Sequence, residues 1–193
     1  TYTYDHSSRL TRVSHQYDNN PSVLLVEHAY DELGRLQTDK LDNVLTADKT
    51  DKPVAFFYIN SVGAVNVRKS GDYVSEMISL AGGNYVPEDT GESDNALSTM
   101  NMQMEEFYAK AKDADYIIYN STIDGELQTI DELLSKSELL ADFKAVKNGN
   151  VWCTGKNLFQ ETTGLGTMIE DIHTMLTTDD DSLDNLTYMH KLK

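Results

Sequence analysis

The sequence predicts an α/β fold: a three-layer αβα lobe with a mostly parallel sheet, preceded by a short β-hairpin-like N-terminal arm. Residues 53–59 (PVAFFYI) are an unbroken apolar run of strand length. A run without alternation is typical of a strand covered on both faces. Strand-length apolar runs then alternate with helical patterns, which favours a layered sheet. The first fifty residues lack this alternation, so we expect an arm over residues 1–42, a linker over 43–51 and the lobe over 52–193.

The arm is predicted from a repeated Tyr-Asp pattern at residues 4–10 and 30–36. Asp after a strand Tyr can close a turn, Gly supplies positive φ, and Arg-Leu starts the return strand. The pattern resembles the YD repeats of the RHS family, although Ser8 stands where the first copy would have Gly. Fewer than two repeats cannot bury a hydrophobic face, so the resemblance implies an arm and no shell. The alternative is a polar leader with coincidental Tyr-Asp pairs.

The lobe begins with the strand at residues 53–59 and continues into a polar stretch at 60–69 that we expect to be a loop. Ser70-Gly-Asp72 offers an N-cap for a helix whose buried face is predicted to carry five apolar residues. These are Tyr73, Val74, Met77, Ile78 and Leu80. Gly82-Gly83 is predicted to end this helix where φ is positive.

The remaining elements follow in αβ order. We expect a loop at 87–98, a helix at 104–112, a strand at 116–119, a helix capped by Thr129, and another turn at 137–143. Asn148-Gly149 predicts a tight turn before a third strand at 151–153. A loop at 155–166 precedes a last helix, and residues 183–192 form a small tail. The last helix is predicted to bury a stripe at Met168, Ile169, Ile172, Met175 and Leu176.

Composition excludes several classes of partner and site. The formal net charge of −16 argues against binding nucleic acid or anionic membranes, because both require excess Lys and Arg. A single cysteine, Cys153, excludes an internal disulfide and indicates a buried thiol. No His pair has metal-ligand spacing, and the adjacent acids at 179–181 lack the spacing of a calcium loop. We therefore predict no metal site, no cofactor and no hydrolase motif.

Residues 52 to about 178 resemble one family. The segments KPVAFFY, GDYVSEMISLAGGNYV, MEEFYAKAKDADYIIY and FKAVKNGNVW are similar to the C-terminal lobe of the substrate-binding proteins of ABC importers for iron-siderophores, haem and cobalamin. In that family two lobes joined by a long helix hold the ligand in the cleft between them. The resemblance implies an iron-chelate-type ligand, an ABC permease as partner and a location outside the cytoplasm. This sequence has the YD-like segment where the family has its N-terminal lobe.

Six residues are candidates for ligand contact. Because loops at the carboxyl ends of strands line the ligand crevice of open α/β sheets, we select residues after the first and third strands. They are Asn60, Ser61, Arg68, Asn157, Phe159 and Gln160. Arg68 suits carboxylate or catecholate oxygens, with a surface salt bridge as the alternative.

Glu105 and Glu106 are candidates for permease docking. In the resembled family an acidic residue at the start of the helix before the second strand contacts the permease, and these two match that position. An exposed carboxylate there suits an Arg pocket on a partner. The alternative is an acidic residue favoured by the helix dipole.

Three functions stay open. The first is a solute-binding, non-enzymatic lobe, with a separate N-terminal lobe or a second copy of the chain as a further partner. The second is a structural or interaction protein that joins an RHS-type arm to an α/β lobe. The third is an enzyme on the same architecture, which fold alone does not exclude.

Overall fold

The computed structural model describes residues 2–4, 10–15, 23–27, 44–45, 47, 49–88, 98–155, 164–178 and 182–193, the first three ranges as backbone only. The chain divides into two compact units, residues 1–46 and 47–193. None of the helices in these ranges combines the length and apolar character needed to cross a bilayer.

The N-terminal unit contains a three-stranded antiparallel sheet, one strand more than the predicted hairpin. Its strands are β1 (Tyr2–Tyr4), β2 (Leu10–His15) and β3 (Val23–Glu27), in the order β1-β2-β3. β2 begins at the predicted Arg-Leu return. The second Tyr-Asp segment, residues 30–36, lies outside the described residues, so the resemblance to YD repeats stays a prediction.

The C-terminal unit has the predicted α/β fold, with a parallel centre. Strands β4 (Lys52–Ile59), β6 (Gly83–Val86), β8 (Tyr116–Tyr119) and β9 (Val151–Thr154) run parallel. Strands β5 (Val65–Arg68), β7 (Thr99–Met102) and β10 (Met189–Lys191) add antiparallel pairs at the flanks. The order is β10-β9-β8-β4-β5-β7, with β6 also paired to β4.

Helices cover both faces of the sheet. They are α1 (Tyr73–Leu80), α2 (Met104–Ala111), α3 (Ser121–Asp124), α4 (Ile130–Lys136), a 3₁₀ helix (Glu138–Asp142), α5 (Lys144–Lys147) and α6 (Leu165–Thr177). On one face α1 packs against α6. On the other, Phe107 of α2 lies 4.5 Å from Phe57 and 5.7 Å from Phe143, ring centre to ring centre. The result is the predicted three-layer lobe.

Local signals account for most of these boundaries. The Asp72 carboxylate accepts from the Val74 N–H at 3.0 Å and so caps α1. Thr129 and Glu132 form a capping box at α4, as two reciprocal bonds between side chains and backbone N–H groups. All five residues of the predicted stripe on α6 are buried.

Four predictions about the lobe were wrong. The stretch at 60–69 is not a loop, because it contains β5 and forms a hairpin with β4. Thr99–Met102 is a strand, and the predicted tail contributes β10, so the described part of the lobe has seven strands instead of three. Tyr73 and Leu80 are 46% and 47% exposed, because the buried face of α1 consists of Val74, Ser75, Met77 and Ile78.

Candidate functional site

The sheet has a stepped carboxyl edge, which we define as the side at which β4, β6, β8 and β9 end. β6 ends at Val86, beside Ala55 of β4. β8 ends at Tyr119, beside Phe57. β4 continues to Ile59 and turns back into β5, so the β4–β5 hairpin projects past its parallel neighbours.

Asn60 organises the tip of this hairpin. Its side-chain oxygen accepts from the N–H groups of Val62 and Ala64 at 3.1 and 3.0 Å. Gly63 takes φ +81° there, with open space around it. Ser61 and Val62 are exposed at the tip. The Asn60 oxygen is therefore used by the turn itself, and the neighbouring Ser61 hydroxyl is the more accessible polar group.

Arg68 lies at the base of the hairpin. It is three residues beyond Val65, or roughly 10 Å along the strand at about 3.3 Å per residue. Its guanidinium pairs with Asp72 at 3.7 Å and lies 6.0 and 5.6 Å from the ring centres of Phe56 and Tyr73. Only 12% of the side chain is exposed. The sequence left a surface salt bridge open as the alternative, and the structure shows an ion pair that is largely buried instead. The structure does not bring Arg68 to Asn60 and Ser61.

Sequence reasoning missed a buried polar cluster beside the hairpin. Asn120, directly after β8, accepts through its side chain from the N–H of Thr122 at 3.2 Å and its hydroxyl at 2.7 Å. Ser121 bonds Thr154, the last residue of β9, through its N–H at 3.0 Å and its hydroxyl at 3.2 Å. The signal was the Asn-Ser-Thr run after an apolar strand. The cluster fixes α3 across the ends of β8 and β9.

Exposed apolar side chains lie along the same edge. Val62 at the hairpin tip is 84% exposed, Ile123 on α3 is 68% exposed, and Tyr73 and Leu165 are half-exposed. Tyr73 and Leu165 lie here because α1 and α6 both start at this edge and run toward the opposite one. At that opposite end the Leu176 carbonyl of α6 accepts from Lys52, the first residue of β4, at 2.7 Å.

The docking candidates lie in the first turn of α2. This helix also starts at the carboxyl edge, because β7 ends at Met102 beside Val65 of β5. Glu105 and Glu106 are both exposed. Glu106 pairs with Lys110 at 3.0 Å, and no ion pair of Glu105 is found among the described residues. Asn157, Phe159 and Gln160 fall outside the described residues and remain predictions.

Elsewhere in the described part of the chain, the thiol and the clustered lysines are held in contacts that stabilise the fold. Burial raises the pKa of the Cys153 thiol to about 11, and its sulfur accepts from the Leu127 N–H at 3.4 Å. A cavity of about 380 Å³ at the amino edge is bordered by three lysines, each paired with an aspartate. No group of three or more His, Cys, Asp and Glu side chains that could hold a metal ion occurs among the described residues.

Known proteins resemble this chain in structure, but none was matched by sequence. No family model matches the sequence, and no curated protein matches it. The periplasmic haem-binding protein HutB of Vibrio cholerae matches with a TM-score of 0.58 at 18% identity, over 72% of this chain and 52% of that one. A structure of an ABC-type Fe3+-hydroxamate transport system from Saccharomonospora viridis matches with a TM-score of 0.55 at 16% identity, over 72% of this chain and 46% of that one.

A third match is the FhuD-fold periplasmic binding protein of a Fep/Fec-like ferrichrome ABC transporter from Bacillus subtilis. Its TM-score is 0.51 at 18% identity, over 73% of this chain and 51% of that one. This chain thus spans about half the length of the structures that it matches. The likeness shows the fold: the C-terminal unit is an α/β lobe of the kind found in periplasmic binding proteins.

Proposed function

We propose that this chain supplies one ligand-binding lobe of the substrate-binding protein of an ABC importer, for a bulky iron-chelate-type ligand such as a siderophore, haem or cobalamin. The observation that carries the proposal is the row of exposed apolar side chains at the carboxyl edge. Strand ends are the usual ligand side of an open α/β sheet, and apolar lining is the usual composition of a small-molecule site.

The site that we propose is formed by the hairpin tip and α3. Ser61 and Asn60 offer polar contacts, and Val62 and Ile123 offer apolar ones. Asn157, Phe159 and Gln160 are proposed to complete it, because they follow β9 in the sequence. Arg68 is proposed to act as a support for the base of the hairpin and the start of α1, with ligand contact only if the Asp72 pair opens.

A second lobe is proposed to form the opposite wall of the cleft. The aligned part of this chain covers only about half of each matched structure, which supports a partner lobe, either a separate chain or a second copy. We propose an extracytoplasmic location and docking of Glu105 or Glu106 on an Arg pocket of the permease. The proposal assigns no catalysis to this lobe, and the matched binding proteins support that assignment.

The open edges of the N-terminal sheet favour a second candidate, an interaction module. Among the described strands, β1 and β3 each pair with β2 alone, which leaves one backbone edge on each for pairing with another chain. In this alternative the chain self-associates through these edges and binds no chelate.

The test is calorimetric titration of the full chain with ferrichrome, haem and cyanocobalamin, together with two matched variants. Ile123→Asp puts a charge at the carboxyl edge, where the side chain is 68% exposed. Leu80→Asp makes the same kind of change at the opposite end of α1, where the side chain is 47% exposed. We expect one ligand to bind, Ile123→Asp to weaken it at least about tenfold, and Leu80→Asp to leave it unchanged.

Two results would contradict the proposal. Equal effects of the two variants would place the ligand away from the carboxyl edge. Absence of binding by all three ligands up to about 1 mM, a free energy of about 4 kcal/mol, would reject a receptor role for this chain and favour the interaction module.

A further inference from the structure

Charged side chains at the carboxyl edge have an acidic excess. Within the described residues, seven carboxylates lie on the hairpin base, the ends of β6 and β8 and the first turns of α1 and α2: Asp72, Glu76, Glu88, Glu105, Glu106, Asp124 and Glu126. Two basic residues, Arg68 and Lys69, lie in the same region. Lys110 and Lys136 reach in from the following turns and pair with Glu106 and Asp124. Even with both lysines counted, acids outnumber bases.

The Arg68 guanidinium, the cation best suited to bind an anion, is already engaged. It pairs with the nearly fully buried Asp72 carboxylate and lies beside two aromatic rings. An anionic ligand would have to displace Asp72, whose carboxylate also caps α1. Leaving that buried carboxylate without its partner is costly, so the ion pair opposes recruitment of Arg68 by a ligand.

The hairpin tip and the most exposed apolar side chains of the edge carry no charge. Val62 and Ile123 are the two most exposed large apolar side chains in the described residues, and residues 59–64 of the hairpin contain no ionisable group. A ligand that meets the hairpin tip contacts methyl groups, the Ser61 hydroxyl and backbone, and carboxylates lie on the neighbouring elements. The summed field of a chain with net charge −16 adds to the same preference.

We infer that the carboxyl edge selects ligands by charge: it takes an uncharged or cationic chelate with apolar surface and rejects anionic catecholate or carboxylate chelates. This inference rests on the proposed function and narrows its ligand class. Selectivity against anions arises from the acidic excess at this edge, and affinity for neutral chelates arises from the apolar tip.

The experiment compares two ferric chelates of similar size, the neutral trishydroxamate ferrichrome and the trianionic catecholate complex ferric enterobactin. Binding to the full chain is measured by calorimetry at about 50 and 500 mM salt. We expect ferrichrome to bind at least about a hundredfold tighter at low salt. Affinity for the anionic complex should rise with salt, because screening weakens repulsion, while affinity for the neutral complex should hardly change.

Paired charge reversals separate the local field from the net charge. Glu88→Lys with Glu126→Lys changes the edge, and Asp113→Lys with Asp142→Lys makes the same change in net charge beside the lysine-bordered cavity at the amino edge. The first pair should raise affinity for ferric enterobactin about tenfold, and the second by less than about threefold. Circular dichroism of each variant checks that the lobe is folded.

Three outcomes would overturn the inference. They are tighter binding of the anionic complex by the unmodified chain, a fall in its affinity with salt, and equal gains from the two pairs of reversals. In each case a chelate still binds, so the proposed function stands. If neither chelate, haem nor cobalamin binds, the proposed function and the inference both fail.

Discussion

Asn60 and Arg68 were selected as ligand contacts because of their residue types, and in the structure both make contacts that stabilise the fold. The Asn60 oxygen accepts two backbone N–H groups of its own turn, and the Arg68 guanidinium pairs with a helix-capping carboxylate. Both arrangements give hydrogen-bond or ion-pair partners to polar groups that would cost free energy if folding left them without one. Ser61, Val62 and Ile123, which are small or apolar, are exposed at the edge.

Asp171 is a buried carboxylate whose ionisation should affect stability. It lies on the buried face of α6, and its oxygen accepts from the Tyr188 N–H at 2.7 Å, which holds the segment before β10. Burial raises the pKa of this carboxyl above 3.8, although hydrogen bonds from the backbone at 187 and 188 offset part of the effect. The folded chain therefore keeps this proton to higher pH than the unfolded chain does.

From this sign we predict a pH dependence. The stabilisation from protonated Asp171 is fully present below the unfolded pKa and is lost as the pH rises through the raised folded pKa. The free energy of unfolding of the wild-type chain minus that of Asp171→Asn should thus fall as the pH rises above 3.8, the ordinary pKa of the carboxyl, as measured by urea unfolding. A difference that does not vary with pH would show that the pKa of Asp171 is the same in both states.

Two glycines at the junctions of elements are required for different reasons. Gly149, between α5 and β9, takes φ +69° with nothing within 4 Å of an added Cβ. At Gly83, the start of β6, an added Cβ would lie 3.0 Å from Leu176 and 3.2 Å from Val54. The first position needs a left-handed backbone, and the second needs space between the sheet and α6.

We therefore predict opposite orders of tolerance at the two positions. At Gly149, Asn should destabilise less than Ala, because Asn adopts positive φ more readily. At Gly83, Asn should destabilise more than Ala, and Ala itself should cost roughly 1–3 kcal/mol through overpacking. Urea unfolding of the four variants measures this, and the same order at both positions would contradict the assignment.

At the scale of elements, strong local patterns predicted the structure and weak ones did not. The apolar run Tyr116–Tyr119, the Thr129 cap and the stripe on α6 each specify an element within a few residues. Strands β5 and β7 have four residues each and include polar side chains, so their pairing depends on the neighbouring strands rather than on their own sequence. The pairing of β5 with β4 places Arg68 at the base of the hairpin. Its separation in sequence from Asn60 did not predict this position.

The candidate site was predicted in outline only. Strand ends indicated the carboxyl edge as the region to inspect, because parallel strands end on one side. The β4–β5 hairpin at that edge was not predicted. What each polar group binds is set by the turn and helix geometry, which placed Asn120 and Thr154 in a buried network that the sequence reading did not identify.

At the scale of the whole molecule, the chain has two units with separate sheets. We predict that residues 47–193 fold without residues 1–46, because the α/β unit has its own core between the sheet and its two helical layers. Trp152 is the chain's single tryptophan and is buried in β9, so its fluorescence follows this unit alone. The urea midpoint of the fragment should match that of the full chain, and loss of a cooperative transition would contradict this.

The self-contained turn at the hairpin tip separates what can vary in evolution from what cannot. Because Asn60 closes the turn through its own side chain, residues 61 and 62 contribute little to the packing of the sheet. Substitutions there can change surface chemistry while the core of β4 keeps its partners. A lineage carrying this lobe can thus change the chemistry of the tip with little loss of stability, as is common for loops on rigid scaffolds.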